Sequence, residues 1–172
     1  MNSSVVINIT RKRENPPTEW RLLPLRVDDA FMSMAIDEAL LKLNAEGKSP
    51  NTVRFWRWLP STVSIGCFQS VEREVDLGAA KKYGVDVVRR ITGGGAVFHD
   101  YDGELTYSVI CRQDGVPDDI IGSYELICGG LVRGFERLGL RADFKPLNDV
   151  QVNGKKISGS AQTRRWGSVL QH

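Results

Sequence analysis

Arg89-Arg90-Ile91-Thr92-Gly93-Gly94-Gly95-Ala96-Val97-Phe98-His99-Asp100 leads two arginines into three consecutive glycines and leaves through a short apolar run to His-Asp. Three glycines in a row lose much backbone entropy on ordering, so the run suits a chain that needs φ > 0 or lies directly against a ligand. Bare amides in such a loop can cradle an anion. The flanking guanidiniums can grip a carboxylate or phosphate through paired hydrogen bonds. A glycine-rich turn between two strands, with solvated arginines, accounts for the same residues. Either way the flanks are sheet: Val85 to Arg90 reads as a strand feeding the loop, and Ala96 to His99 as a strand leaving it.

Outward from this loop, strands and helices mix. Upstream, Trp20 to Leu25 reads as a first strand. Ser33 can cap a helix to about Asn44, with Met34, Ile36, Ala39, Leu40 and Leu43 on its apolar face and Asp37, Glu38 and Lys42 as polar positions. Thr52 to Trp58 alternates and is rich in aromatic and β-branched residues, so it reads as a strand. Ser61 to Ile65 is another, closed by Gly66-Cys67-Phe68-Gln69. Asp76 caps a short helix through Tyr83, which Gly84 ends. Downstream, Glu104 to Arg112 alternates as a strand. Tyr124, Ile127, Leu131, Phe135 and Leu138 repeat at helical spacing behind Ser123, up to Gly139. Asn148 to Val152 and Lys155 to Ala161 pair across Asn153-Gly154, a strong hairpin turn. Gly167 to His172 reads as one more strand. This order predicts one α+β domain, a mixed and largely antiparallel sheet packed with helices. It covers 19–172, behind a loose arm at 1–18 that ends in Asn15-Pro16-Pro17-Thr18.

Composition narrows the function. With 172 residues, 41% hydrophobic and 26% charged, the chain is ordinary globular protein. A net charge of +2, from 23 basic and 21 acidic residues, gives no general pull toward nucleic acid or membrane. Anion recognition must therefore be local. No apolar run reaches the roughly 18 residues of a membrane span. Cys67, Cys111 and Cys128 form no zinc spacing and no disulfide framework, which points to a reducing compartment and a cytoplasmic protein. Each could be a nucleophile or a buried structural thiol.

Four places can carry chemistry. The glycine loop is the first. Gly66-Cys67-Phe68-Gln69 is the second, a turn or a site edge with an amide at Gln69. The third is Asn148-Asp149, a pair that turns also favour. The fourth is Lys155-Lys156-Ile157-Ser158-Gly159-Ser160-Ala161. One of its two adjacent lysines should point inward, where it needs a negative partner, and the small residues leave room for one. No Ser-His-Asp order, Walker loop or GxGxxG is evident. The chemistry suggested is stabilisation of an anionic, phosphate-bearing species by Arg, Lys and backbone amides.

RRITGGGAVFHD followed by DGELTYSVI resembles the signature of the lipoate–protein ligase A family, within the biotin/lipoate ligase-like superfamily. NDVQVNGKKISGSAQ resembles that family's second motif, and the likeness runs from Trp20 to His172. The resemblance implies a class II biotin/lipoyl synthetase-like catalytic domain. It also implies a reaction in which lipoate and ATP give lipoyl-AMP. The acyl group then passes to a lysine on a lipoyl domain of a 2-oxoacid dehydrogenase or on the glycine cleavage H protein. Lys156 would stabilise charge on the carboxylate and the α-phosphate. Gly93, Gly94 and Gly95 would lie along the acyl-adenylate, Arg90 would hold phosphates, and His99 would line the pocket. Gln69, Gly159 and Ala161 would complete the binding surface. Asn148 and Asp149 would face the nucleotide, with Asp149 the better ligand for Mg²⁺.

The family resemblance also implies more chain after His172, so the expectation is a domain lacking its C-terminal portion, or one completed by a second polypeptide. The alternative within the superfamily is an octanoyltransferase that moves octanoyl from acyl carrier protein through a cysteine thioester. Its cysteine would precede the lysine motif, where Leu140 to Leu147 has none. A non-catalytic module that binds lipoyl-adenylate is the remaining alternative.

Overall fold

The computed structural model describes residues 5–8 and 19–172. The rest of the expected N-terminal arm lies outside the described residues. Strands Val5–Asn8 (β1), Glu19–Leu22 (β2) and Arg26–Asp28 (β3) precede helix Ala30–Ala45 (α1). Strands Asn51–Trp58 (β4) and Thr62–Ile65 (β5) follow. Next come the short helices Val71–Glu74 (α2) and Leu77–Tyr83 (α3), then strands Asp86–Arg89 (β6), Val97–His99 (β7) and Thr106–Arg112 (β8). The last part holds helix Ile120–Arg137 (α4) and strands Ala142–Lys145 (β9), Asp149–Val152 (β10), Lys155–Gly159 (β11), Gln162–Arg165 (β12) and Ser168–Gln171 (β13).

Three sheets result. The main one runs β1-β2-β4-β8-β13-β12, with β3 also on β4; β11-β10-β9 and β6-β5-β7 are the others. Parallel pairing is confined to β2 and β3 on β4, and to β5 with β6. In all three cases a helix lies between the partners in sequence, within the crossover that parallel strands need. The remaining pairings are antiparallel, so the architecture is the expected α+β one. β1 lies where the sequence suggests a loose arm, and it pairs with β2 from Val5–Leu22 to Asn8–Glu19. No helix among the described residues is long and apolar enough to cross a membrane.

Helix α1 departs from expectation in an instructive way. It begins three residues before Ser33, because Asp29, in extended conformation, accepts a hydrogen bond from the Met32 amide and caps it. Its buried stripe is Ala30, Ser33, Asp37, Leu40, Leu41 and Asn44, so Asp37 is a core residue rather than a solvent-facing one. The cause is Arg54. It lies on the same face of β4 as Trp56 and Trp58, and burial of its guanidinium demands a carboxylate. Asp37 Oδ1 meets it at 2.8 Å. Leu40 and Leu41 pack on Ile110 and Leu170, fixing α1 across β8 and β13. Burying one such leucine contributes about 1.5–3 kcal/mol. On the other side α4 packs on β9 and β10 through Cys128, Ala142 and Val150.

Candidate active site

Residues of all three sheets border one cavity of about 380 Å³. That is near the small end of ligand sites, a size for a short chain rather than a bulky polycyclic group. Met34, Trp56, Trp58, Val97 and Leu105 give it apolar walls. Ser64, Arg90, His99 and Glu104 form a polar side, and residues 156–161, from β11 and just after it, form another.

The glycine loop is held from beneath by Arg90. Its Nε donates to Thr92 Oγ1 at 3.1 Å, and Nη1 donates to the carbonyl and hydroxyl of Ser64 at 3.0 and 3.2 Å. Its Nη2 donates to the carbonyls of Gly93 and Gly95 at 2.8 and 2.7 Å. The guanidinium is thus engaged by protein oxygens on all three nitrogens, and it braces the loop. Gly94 has φ +96°, and a Cβ there would lie 2.9 Å from Arg90 Nη2. A Cβ on Gly66 would overlap the Gly94 carbonyl oxygen, so the Gly66 turn must pass bare behind the loop. Gln69 closes that turn, its Oε1 accepting from the Gly66 amide at 2.8 Å.

His99 stands on β7 with its ring stacked on Trp58 at 4.4 Å. Its Nδ1 is 2.7 Å from Glu104 Oε1 and its Nε2 2.8 Å from Ser64 Oγ. Burial pushes the Glu104 carboxyl up, but the hydrogen bond and charge of His99, helped by Thr106 and Trp58, outweigh it. The net is a carboxyl held below its ordinary value.

Lys156 lies at the cavity mouth, with its side chain 58% exposed and its ammonium 2.8 Å from Asp149 Oδ1. The contact is an ion pair off the line of a hydrogen bond, so Oδ1 is buried without a hydrogen-bond partner. Gly159 makes room for this lysine, since a Cβ there would lie 2.7 Å from its Cε and Nζ. Asn148 holds the end of β11 by donating from Nδ2 to the Ser160 carbonyl at 2.6 Å.

Of the residues expected from sequence, Arg90, Gly94, Gly95, His99, Asn148, Lys156, Gly159 and Ala161 border the cavity, whereas Gly93, Gln69 and Asp149 do not. Asp149 reaches it through Lys156. Among the described residues no group of three or more His, Cys, Asp or Glu side chains is gathered for a metal ion. Sequence reasoning missed Ser64, Glu104 and His172, which also border the cavity. The alternation of β5 and the hydroxyl in Thr62–Ile65 were the only signal for Ser64.

The three thiols stand apart. None of them lines the cavity. Cys128 lies under its floor, with Sγ 3.8 Å from Ser160 Oγ. Burial pushes the Cys128 thiol up and the Cys111 thiol up to about 12.

The lipoyl protein ligase A/B catalytic domain model matches residues 29–172. The chain belongs to this family. Among solved structures it is similar to the bipartite lipoate protein ligase of Thermoplasma acidophilum, solved in work that included its E2 lipoyl domain. The TM-score is 0.75 and identity 37%, over 86% of this chain and 58% of that one. A lipoate–protein ligase A bound with ATP matches with a TM-score of 0.74 and 35% identity, over 86% of this chain and 63% of that one. Among curated relatives, octanoyltransferase LipM of Brevibacillus brevis is 41% identical over 90% of the chain. The chain spans 64% of that relative's length. Further bacterial relatives of the same name match at similar identity.

These relatives correct one expectation. The sequence motifs suggest an ATP-dependent lipoate ligase working through lipoyl-AMP, whereas the curated relatives carry the octanoyltransferase name. A transferase takes its acyl group from a donor that is already activated, so adenylation has no part in it. The geometry agrees on one point: Arg90, expected on phosphates, has its donors engaged within the loop.

Proposed function

We propose that this chain carries the acyl pocket and transfer chemistry of an octanoyltransferase. It takes an octanoyl group from a carrier-protein thioester and passes it to a lysine ε-amine on a lipoyl domain, in the cytoplasm. The observation that carries the reading is a cavity of about 380 Å³ with tryptophan and methionine walls and Lys156 at its mouth. The octanoyltransferase relatives support the acyl donor, and the E2 lipoyl domain studied with the Thermoplasma protein supports the acceptor.

The chain's residues divide the work. Trp56, Trp58 and Met34 take the alkyl tail out of water, which contributes about 0.8 kcal/mol per methylene. The carbonyl then lies toward the polar end. When the thioester carbonyl becomes tetrahedral, its oxygen gains negative charge, and the Lys156 ammonium stabilises it. Asp149 holds that ammonium in place. Gly159 keeps the strand bare enough for the lysine to lie along it.

Mass spectrometry of a lipoyl domain incubated with this chain and octanoyl–carrier protein tests the reading. The expected outcome is a gain of one octanoyl group without ATP. Lys156→Ala lowers the rate on the order of 10²-fold. It costs about 1–3 kcal/mol of stability, because the buried Asp149 Oδ1 loses its partner. Failure of the wild-type chain to transfer from the thioester overturns the proposal. The two-part make-up of the Thermoplasma ligase supports a variant of it in which a second polypeptide completes the site. Transfer that needs an added polypeptide identifies that variant.

A further inference from the structure

We propose that Glu104 is the receptor for the acceptor lysine and holds its ammonium on the side of the cavity away from Lys156. The inference rests on the octanoyl-transfer reading and deepens it, because it gives the second substrate a place on this chain.

The charges around the cavity carry it. Among the described residues, Arg90 and Lys156 are the lysine and arginine side chains on its walls, and Glu104 is the carboxylate. Both cations already have partners. Lys156 pairs with Asp149 at 2.8 Å, and Arg90 donates to oxygens of Ser64, Thr92, Gly93 and Gly95. Glu104 has no such partner: none of the described salt bridges joins it to a lysine or arginine. Its Oε1 accepts from His99 Nδ1 at 2.7 Å and from Thr106 Oγ1 at 2.6 Å. Both bonds fall on one oxygen. Oε2 takes none of the described hydrogen bonds and is not sealed from solvent, in a side chain 32% exposed. The site is therefore short of one cation.

Proton placement keeps it so. The Arg90 guanidinium can only donate, and its Nη1 donates to Ser64 Oγ at 3.2 Å. The serine hydrogen is then free to point at His99 Nε2, 2.8 Å away, and the ring proton lies on Nδ1, toward Glu104. A proton on Nε2 as well would displace the serine hydrogen and bring a second cation beside Arg90. Trp58 holds both donors to Oε1, stacking on the His99 ring at 4.4 Å and donating from Nε1 to Thr106 Oγ1 at 2.7 Å.

The rim suits a lysine stem. Leu105 follows Glu104, and Val97 shares a face of β7 with His99; both border the cavity and are exposed. The methylenes of a lysine can lie on such apolar surface while its ammonium reaches the carboxylate. The acyl carbonyl then stands between two walls, its oxygen toward Lys156 and its carbon toward the acceptor nitrogen. Glu104 binds the cation and does not take its proton, since a carboxyl held below its ordinary value is a weak base. Overall, thioester and ammonium give amide, thiol and one proton released to solvent, with no further reactant.

The test uses the full chain and a lipoyl domain in a cycle of four calorimetric titrations. Wild type and Glu104→Gln are each titrated with the domain carrying its acceptor lysine and with the domain carrying glutamine there. Wild type is expected to bind the lysine form about tenfold tighter, as one partly exposed charge-assisted hydrogen bond predicts. Glu104→Gln is expected to bind the two forms alike, and Glu104→Asp to restore part of the preference. Steady-state transfer from octanoyl–carrier protein gives a second readout. There Glu104→Gln is expected to raise KM for the lipoyl domain more than it lowers kcat, with KM for the carrier protein unmoved. A lysine preference that survives Glu104→Gln, or a KM rise for the carrier protein instead, overturns the inference and leaves the octanoyl-transfer reading standing. Equal binding of the two domain forms by wild type overturns it whatever the fold of the variants. A lysine preference that depends on Glu104, in a wild type that transfers nothing from the thioester, overturns the octanoyl-transfer reading and leaves the receptor standing.

Discussion

Two histidines in this molecule each sit between a carboxylate and a hydroxyl. His99 lies between Glu104 and Ser64. His172 lies between Asp37, 3.0 Å from its Nδ1, and Thr92, 2.8 Å from its Nε2. Their surroundings differ. Asp37 is fully buried and also takes hydrogen bonds from Arg54 and from Ser108, so a cation already balances its charge. Thr92 has no exposed surface and accepts from Arg90. Glu104 is only partly buried, none of the described salt bridges joins it to a lysine or arginine, and its histidine faces a hydroxyl on the cavity wall. The same chain of hydrogen bonds is therefore a brace where its ends are neutralised and buried. At His99 the hydroxyl is buried too and also accepts from Arg90, but the carboxylate end stays partly exposed with no lysine or arginine on it among the described salt bridges.

Substitutions can break or sharpen this contrast. The largest effect on folding belongs to the brace. Asp37→Ala leaves Arg54 buried without its partner and should cost about 3–5 kcal/mol in denaturant unfolding. His172→Gln comes next, at about 1–3 kcal/mol, because it disturbs hydrogen bonds to two buried groups. His99→Gln should cost less stability than His172→Gln while losing far more acyl transfer. A reversal of those two readouts would erase the distinction.

Acid provides a finer comparison. Glu104 is held below its ordinary value of 4.5, so it contributes stability that is complete above that pH and is lost as the pH falls through its lowered value. Glu104→Gln should flatten that part of the acid limb in pH-dependent melting, and an unchanged limb would show the carboxylate contributes nothing there. The smallest effect concerns thiols. Cys111, raised to about 12, and Cys128, also raised, should resist alkylation in the folded protein at pH 8, with Cys67 labelled first.

The glycine loop, the lysine hairpin and most strands were legible in the sequence because their signals are local. Asp76 and Gly84 bound α3 as read, with the Asp76 side chain accepting from the Ala79 amide and Gly84 at φ 65°. Asn153-Gly154 turns β10 into β11 with both residues at positive φ. Strand β12, Gln162–Arg165, was not read, because its polar residues carry no apolar alternation. Asp37 was misplaced because its burial depends on Arg54, seventeen positions away, and nothing in a helical pattern reports such a partner. Ser64 and Glu104 were illegible for the same reason: His99 unites them only after β5 and β7 pair. The choice between ligase and transferase lies beyond local pattern as well. A glycine loop and a lysine serve a carbonyl whether adenylate or thioester activates it.

Trp58 gives the site an optical signal of its own. Its indole borders the cavity, stacks on His99 and donates a hydrogen bond to Thr106. An alkyl chain entering beside it replaces water with hydrocarbon, and a change of charge on the stacked imidazole alters quenching at contact distance. The part of the tryptophan emission that Trp58→Phe removes therefore reports occupancy of the pocket without a label, over the background of Trp20, Trp56 and Trp166.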